Sequence, residues 1–131
     1  MSTASRIPRS RAEQAEELIM FLNTFDNTGG EHHVGGKTFV SQSVHRLSQR
    51  HMWLLQAIAE ANRTKAVVEC KHQRWVLVTS ARDRTASLTM EYKSKDVFEQ
   101  KVKNCDLPID ELVLVVDLGV YKHRIWFENE D

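Results

Sequence analysis

Apolar positions change their spacing about halfway along the chain, from a helical period to the shorter period of strands. Near the start they recur every three or four residues, as on one buried face of a helix: Ala15, Leu18, Ile19, Leu22 and Phe25. Ser10 and Glu13 precede them with the spacing of a capping box, in which each side chain hydrogen-bonds the other residue's backbone N–H. The pattern predicts a first helix that begins at Ser10, after a flexible tail of residues 1–9.

A pair of glycines marks a predicted hairpin after this helix. Gly35 and Gly36 can adopt the positive φ angles that a tight hairpin turn requires, so residues 31–34 and 37–40 are expected to pair as strands. Residues 41–62 then contain no Gly or Pro, and the apolar spacing is again that of helices. The residues that fit a short helix and then a longer one are Val44 and Leu47, followed by Met52, Leu54, Leu55, Ile58 and Ala59.

The second half of the chain has the pattern of strands. Residues 74–79 form a nearly continuous apolar run, which is typical of a central strand or one covered on both faces. Apolar and polar residues alternate over 88–93, as in a half-buried strand. Residues 96–103 fit both a helix and an alternating strand, and we favour a strand. Two further strands are predicted beyond Pro108, at residues 112–116 and 120–127.

The order of helices before strands favours an α+β fold. We expect N-terminal helices to pack on one face of a mainly antiparallel sheet formed by the C-terminal half. A chain of 131 residues can bury roughly two thirds of the surface that its unfolded form exposes. Residues 10–131 are therefore expected to form a single α+β domain.

Composition indicates an ordinary soluble protein, with 41% hydrophobic and 27% charged residues. The 18 basic and 18 acidic side chains cancel, which argues against binding that depends on neutralising many phosphates. No apolar run approaches the roughly 20 residues of a membrane span, and the N-terminus lacks the apolar stretch of a secretion signal. We expect a cytoplasmic protein without a membrane partner, in which Cys70 and Cys105 are reduced.

The spacing of residues along the chain matches no complete catalytic or cofactor-binding motif. Gly36-Lys37-Thr38 resembles the end of a phosphate-binding loop, but that motif needs a glycine where Glu31 stands. Cys70 and His72 could share a strand face, yet a zinc site needs three or four converging ligands. We therefore expect no metal, no cofactor and no catalytic residues. An enzyme whose site is assembled from distant residues is an alternative that spacing cannot test.

Some segments contain more apolar residues than one core-facing surface requires. These segments include the aromatic residues Trp53, Tyr121, Trp126 and Phe127. Where such residues cluster on a surface, they mark a protein interface or a homodimer. Arg74, Tyr121 and Trp126 are the predicted partner-binding residues.

A basic segment supports nucleic-acid binding as the alternative function. Lys71-His72-Gln73-Arg74-Trp75 places cations beside an aromatic ring, the residue types that neutralise a phosphate backbone and stack on bases. Trp75, however, starts the most apolar strand and is expected in the core. The residues predicted for this alternative are Arg63, Lys65, Lys71, Arg74, Arg82 and Arg84.

Five short motifs carry a resemblance that covers roughly residues 20–127. They are Phe25-x-x-Thr28-Gly29, Phe39-Val40 leading to Val44, Trp53-Leu54-Leu55-x-x-Ile58-Ala59, Trp75-x-Leu77-x-Thr79 and Asp106-Leu107-Pro108. In these motifs the chain resembles a family of small uncharacterised proteins found in bacteria, their phages and mobile elements. The resemblance implies no activity and no catalytic residues, but it implies a setting in which small proteins often bind host or defence machinery.

Together these observations predict a small, non-enzymatic accessory protein of a phage or mobile element. It is expected to act by binding a host or defence-system protein. An inhibitor of a bacterial defence system, such as an anti-CRISPR protein, is the specific form of this expectation.

Overall fold

Strands in the described part of the chain form one mixed sheet, and helices lie against one of its faces. The computed structural model describes residues 13–14, 16–18, 31–80, 82–105 and 107–128. The strands are β1 (Glu31–Gly35), β2 (Thr38–Ser41), β3 (His72–Ser80), β4 (Thr85–Tyr92), β5 (Lys95–Val102), β6 (Glu111–Leu118) and β7 (His123–Phe127). The helices are α1 (Gln42–Arg50), α2 (Met52–Ala61) and α3 (Lys65–Val68). Residues 13–14 and 16–18 are also helical, whereas the predicted helix start at Ser10 and the tail of residues 1–9 lie outside the described residues.

The strands follow the order β1-β2-β7-β6-β3-β4-β5 across the sheet. Among the described strands, β2 and β7 are the one parallel pair, and the other five pairs are antiparallel. The predicted α+β class is confirmed. The prediction that helices come first and that the C-terminal half alone forms the sheet is wrong, because β1 and β2 precede α1 and form one edge. The hairpin joins the sheet through the pairing of β2 with β7, which places Val40 beside Ile125 in the core, where both side chains are buried.

Alternation along the strands divides the sheet into two different faces. Trp75 and Leu77 in β3 are buried, as are Met90 and Leu88, their partners in β4. Residues of α1 and α2 join the same apolar core: Val44, Leu47, Leu54 and Ile58. We call this side the covered face. The side chains between these positions point to the opposite side, the open face.

Polar residues set the ends of α1. Ser41 Oγ accepts a hydrogen bond from the Val44 backbone N–H at 3.3 Å, as an N-cap side chain does. His51, with φ −134° and ψ 58°, separates α1 from α2, so the predicted short and longer helices are confirmed. The sequence pattern does not predict α3, since four residues are too few to show a period. None of the described helices has both the length and the apolar character needed to cross a membrane.

The strand predictions agree with the structure except at the start of β7. The segment that fitted both a helix and a strand is β5, in which Phe98 pairs with Met90. Its ring packs edge-on against that of Trp75, with centroids 5.6 Å apart, and Trp75 lies in the core as expected. The strand predicted over residues 120–127 begins only at His123, because Tyr121 lies in the preceding turn and is 92% exposed.

A fully buried glutamine links α2 and α3 to β3. Gln73 is 0% exposed. Its Nε2 donates to Asn62 Oδ1 at 2.7 Å, to the Val67 carbonyl at 3.0 Å and to the Cys70 carbonyl at 2.9 Å. Its Oε1 accepts from Asn62 Nδ2 at 3.1 Å and from Trp75 Nε1 at 2.8 Å. Both polar atoms of the amide are therefore satisfied inside the core.

Candidate binding surface

Two of the three predicted partner-binding residues lie on the open face. Arg74 in β3 stands opposite Val115 in β6, and Val115 stands opposite Trp126 in β7. Residues directly opposite each other in paired strands share a face, so Arg74 and Trp126 lie on one side, two strands apart. With about 4.8 Å between neighbouring strands, their backbones are roughly 10 Å apart.

Trp126 is half-buried, and cationic or ionisable side chains flank its ring. The Arg124 guanidinium lies over the indole at 5.2 Å from its centroid, within the range of a cation–π contact. The His72 ring is tilted against it, with centroids 6.4 Å apart. The indole Nε1 is shut off from solvent and has no hydrogen-bond partner among the described residues. These contacts hold the ring in one position, which reduces the entropy lost when a partner packs on it.

Arg74 is fixed by two carboxylates. It binds Glu128 through two hydrogen bonds of 2.5 and 3.1 Å and Glu91 through one of 2.7 Å. These hydrogen bonds raise the pKa of the Arg74 guanidinium, and the same contact lowers the pKa of Glu128. Arg74 is therefore a preorganised part of the surface whose charge is already balanced within the chain.

A second charged cluster lies on the other side of Trp126. Glu31 in β1 accepts hydrogen bonds from Lys122 at 2.6 Å and from Arg124 at 3.1 Å. The Lys122 hydrogen bond is the main cause of a lowered Glu31 pKa. Lys122 Nζ also lies 5.2 Å from the centroid of the Phe39 ring. The edge hairpin thus supplies Glu31 to this cluster and the Phe39 ring beside it.

Valine side chains form the centre of the open face. Val115 is buried between Arg74 and Trp126, while Val76 and its partner Val113 are half-buried. Val78, two positions further along β3, is 48% exposed. An apolar centre with charged groups at its margin is the composition of many protein–protein interfaces.

Tyr121 is not part of the open face. It lies in the turn between β6 and β7 beside Val120, and both side chains are highly exposed. The Val120 carbonyl accepts a hydrogen bond from Lys37 Nζ at 3.0 Å, which ties this turn to the hairpin. Tyr121 therefore stands at the end of the sheet, apart from Arg74 and Trp126.

The structure separates the residues predicted for nucleic-acid binding. Arg63 pairs with Glu60 at 3.6 Å and Lys65 pairs with Glu69 at 3.9 Å, both beside the helices. Lys71 precedes β3, whereas Arg82 and Arg84 follow it in the next turn. β3 has 9 residues and spans about 30 Å, so Lys71 lies at one end of this strand and Arg82 and Arg84 lie at the other.

The cysteines and histidines do not assemble a metal site in the described part of the chain. Cys70 and Cys105 are buried and free. Cys70 Sγ donates to the Ala66 carbonyl at 3.5 Å, whereas His72 is exposed beyond it. Within the described ranges, no three His, Cys, Asp or Glu side chains are grouped closely enough to hold a metal ion.

Sequence reasoning missed several residues of the surface. Glu128 is separated from Arg74 by 54 positions, so no local pattern could pair them. The position of Arg124 on this face could be predicted, because it stands two residues before Trp126 and strand alternation places both side chains on one face. His72 stands in the sequence as a possible zinc ligand and within the basic segment, and neither interpretation predicts its contact with Trp126.

The fold and this surface define an α+β protein with one sheet, helices on one face and a mixed apolar and charged opposite face. The chain belongs to a family of unknown function (DUF6876), whose model matches residues 14–122. This confirms the resemblance to an uncharacterised family, while a phage or mobile-element origin stays a prediction. No curated protein and no solved structure matches the chain.

Proposed function

We propose that the protein acts by binding another protein through its open face, with Trp126 as the central contact. The observation that carries this proposal is the half-buried Trp126 ring, held by Arg124 and His72 beside a valine centre. Tryptophan and arginine in such settings are the residues that most often dominate binding energy at protein interfaces.

The charges of the open face favour a protein over a nucleic acid as the partner. Arg74, Lys122 and Arg124 are all engaged by carboxylates within the chain. A nucleic acid would have to compete with these carboxylates, because its affinity comes from neutralising phosphates with unpaired cations. Among the residues predicted for the alternative, Lys71 lies at the opposite end of β3 from Arg82 and Arg84.

The resemblance extends this proposal to a biological setting. It supports an accessory protein of a phage or mobile element, whose partner is a component of the host or of a bacterial defence system, as for an anti-CRISPR inhibitor. A cytoplasmic location and the lack of an enzymatic activity belong to the same proposal.

Capture from host lysate, followed by a binding measurement, tests the proposal. Wild-type protein, Trp126→Ala and Met52→Ala are immobilised in parallel, and captured proteins are identified by mass spectrometry. Met52 is a suitable control because it is 54% exposed on α2, on the side of the covered face. A purified captured protein should bind the Trp126→Ala variant roughly 30-fold or more weakly, the size of a hot-spot loss of about 2 kcal/mol. It should bind the Met52→Ala variant like the wild type.

Two further measurements separate the alternatives. Labelled single- and double-stranded DNA and RNA are titrated at about 50 and about 200 mM salt. Salt-sensitive binding that Arg82→Ala weakens and Trp126→Ala does not would replace the proposal with the nucleic-acid alternative. Sedimentation over a range of concentrations tests a homodimer, and a dimer that Trp126→Ala dissociates would identify a second copy as the partner. Equal capture of the same proteins by wild type and Trp126→Ala would contradict the proposed surface.

A further inference from the structure

A cavity of about 650 Å³ opens on the covered face, on the opposite side of the sheet from Trp126. Its floor includes Val116 and Leu118 of β6 and Ile125 of β7. Its wall includes Met52 and Leu55 of α2. This volume lies within the range of roughly 300–1,000 Å³ that is usual for small-molecule sites.

Among the described residues, no Asp, Glu, Lys or Arg side chain lines this cavity. The lining consists mainly of aliphatic residues, with uncharged polar side chains and histidines between them. Two of its apolar residues, Met52 and Val34, are exposed enough to be reached from solvent. Burying a charged group against this aliphatic lining would cost hydration that no charged lining residue replaces. The lining therefore selects an uncharged, mainly apolar molecule.

His123 is the polar group that can fix the orientation of such a molecule. Its imidazole is half-buried in the cavity wall and makes no hydrogen bond within the described part of the chain. Burial lowers its pKa, as do Lys37 and Lys71, against the opposing effect of Asp117, and this favours the neutral imidazole. A neutral imidazole offers one N–H donor and one nitrogen acceptor.

His45 also lines the cavity but is less available. Its ring stacks on that of His32, with centroids 4.2 Å apart and planes inclined by 5°. Its Nδ1 is closed off from solvent without a hydrogen-bond partner among the described residues, and its Nε2 lies 3.5 Å from the Gln49 amide. His123 is accordingly the better anchor.

We propose that this cavity is a binding site for an uncharged, largely apolar small molecule that hydrogen-bonds His123. The site is separate from the protein-binding surface and does not depend on it. The aliphatic floor and wall supply affinity by burying apolar area, and the imidazole supplies orientation.

The test uses N-phenyl-1-naphthylamine, an uncharged fluorescent probe with two aromatic groups and one N–H. Its emission should rise and saturate on titration with the wild-type protein. Ala59 lies on the exposed side of α2 and lines the cavity, so Ala59→Trp should fill part of the space and weaken probe binding roughly tenfold or more. Ala66→Trp, at an exposed helical position outside the cavity, is the matched control and should bind like the wild type.

A second variant tests the role of the imidazole. His123→Phe preserves an aromatic ring but removes both ring nitrogens, and it should weaken binding about fivefold, the effect of one lost hydrogen bond. Circular dichroism checks that each variant is folded, and Gln56→Trp replaces Ala59→Trp if the latter unfolds. Probe binding that is absent, or that Ala59→Trp and Ala66→Trp change equally, would overturn the proposal. So would a concentration-dependent dimer that Ala59→Trp dissociates, since a second copy would then fill the cavity.

Discussion

Replacing Gln73 with leucine should test whether the buried amide holds the helices against the sheet. Leucine has nearly the same size and is apolar, so the replacement fits a fully buried position without a large cavity. It removes, however, every hydrogen bond of the amide. Trp75 Nε1 and the carbonyls of Val67 and Cys70 then lose a partner in the interior.

The structure gives the size of the effect. Four N–H groups donate in these contacts, two of Gln73 and one each of Asn62 and Trp75, and at about 1 kcal/mol each they amount to about 4 kcal/mol. Burying a leucine in place of the amide offsets about 2 kcal/mol of this. The free energy of unfolding should therefore fall by about 2 kcal/mol, a substantial part of the roughly 5–15 kcal/mol that keeps a domain folded.

Urea unfolding followed by tryptophan fluorescence and circular dichroism measures this change. Gln56→Leu is the matched control, because Gln56 is an exposed residue of α2 with no hydrogen bond to Gln73. The control should change the free energy of unfolding by less than about 0.5 kcal/mol. A Gln73→Leu variant within about 1 kcal/mol of the wild type would refute the reasoning, since the orphaned indole and carbonyl groups would then have been satisfied in another way.

Three further predictions concern pH, the hairpin turn and the thiols. Burial keeps the pKa of His123 below 6.5, and an arginine hydrogen bond keeps that of Glu128 below 4.5, so the unfolded chain takes up each proton at a higher pH than the folded one. The urea midpoint should therefore fall as pH drops below 6.5 and again below 4.5. His123→Phe should reduce the first step, to which the lowered pKa of His45 also contributes, and Glu128→Gln should reduce the second, to which that of Glu31 contributes. Gly36→Ala should lower the free energy of unfolding by about 1 kcal/mol, because φ is +52° and nothing lies within 4 Å of the added methyl group; an unchanged thermal midpoint would contradict this. Cys70 and Cys105 should react with a thiol reagent only when urea unfolds the chain, and rapid reaction of the native protein would show that they are accessible.

Much of the fold could be predicted because most of its strands and helices have a recognisable local pattern of apolar residues. Continuous or alternating apolar residues mark β3, β4 and β6, and a helical spacing marks α1 and α2. The choice of a strand for the ambiguous segment was correct, and tertiary packing explains why: Phe98 reaches both Met90 and Trp75 only from a paired strand.

The missed features depend on contacts between distant parts of the chain. The parallel pairing of β2 with β7 joins Thr38 to His123, and no local pattern indicates which strand a hairpin will join. The turn before β7 was predicted as strand because Val120 and Tyr121 have strand-forming side chains, yet both are exposed. The composition of the open face also depends on tertiary pairing, because Arg74 and Trp126 share that face only through the register of β3, β6 and β7.

β7 connects the two proposed binding sites while keeping their side chains apart. His123 and Ile125 contribute to the cavity, whereas Arg124 and Trp126 belong to the open face. Since neighbouring side chains of a strand point in opposite directions, a substitution on one face need not disturb the other unless it moves the backbone. Trp126→Ala should therefore weaken partner binding without changing probe affinity, and His123→Phe should do the reverse. If each variant weakens both kinds of binding, the two faces communicate through the position of β7, and the independence inferred from strand alternation is wrong.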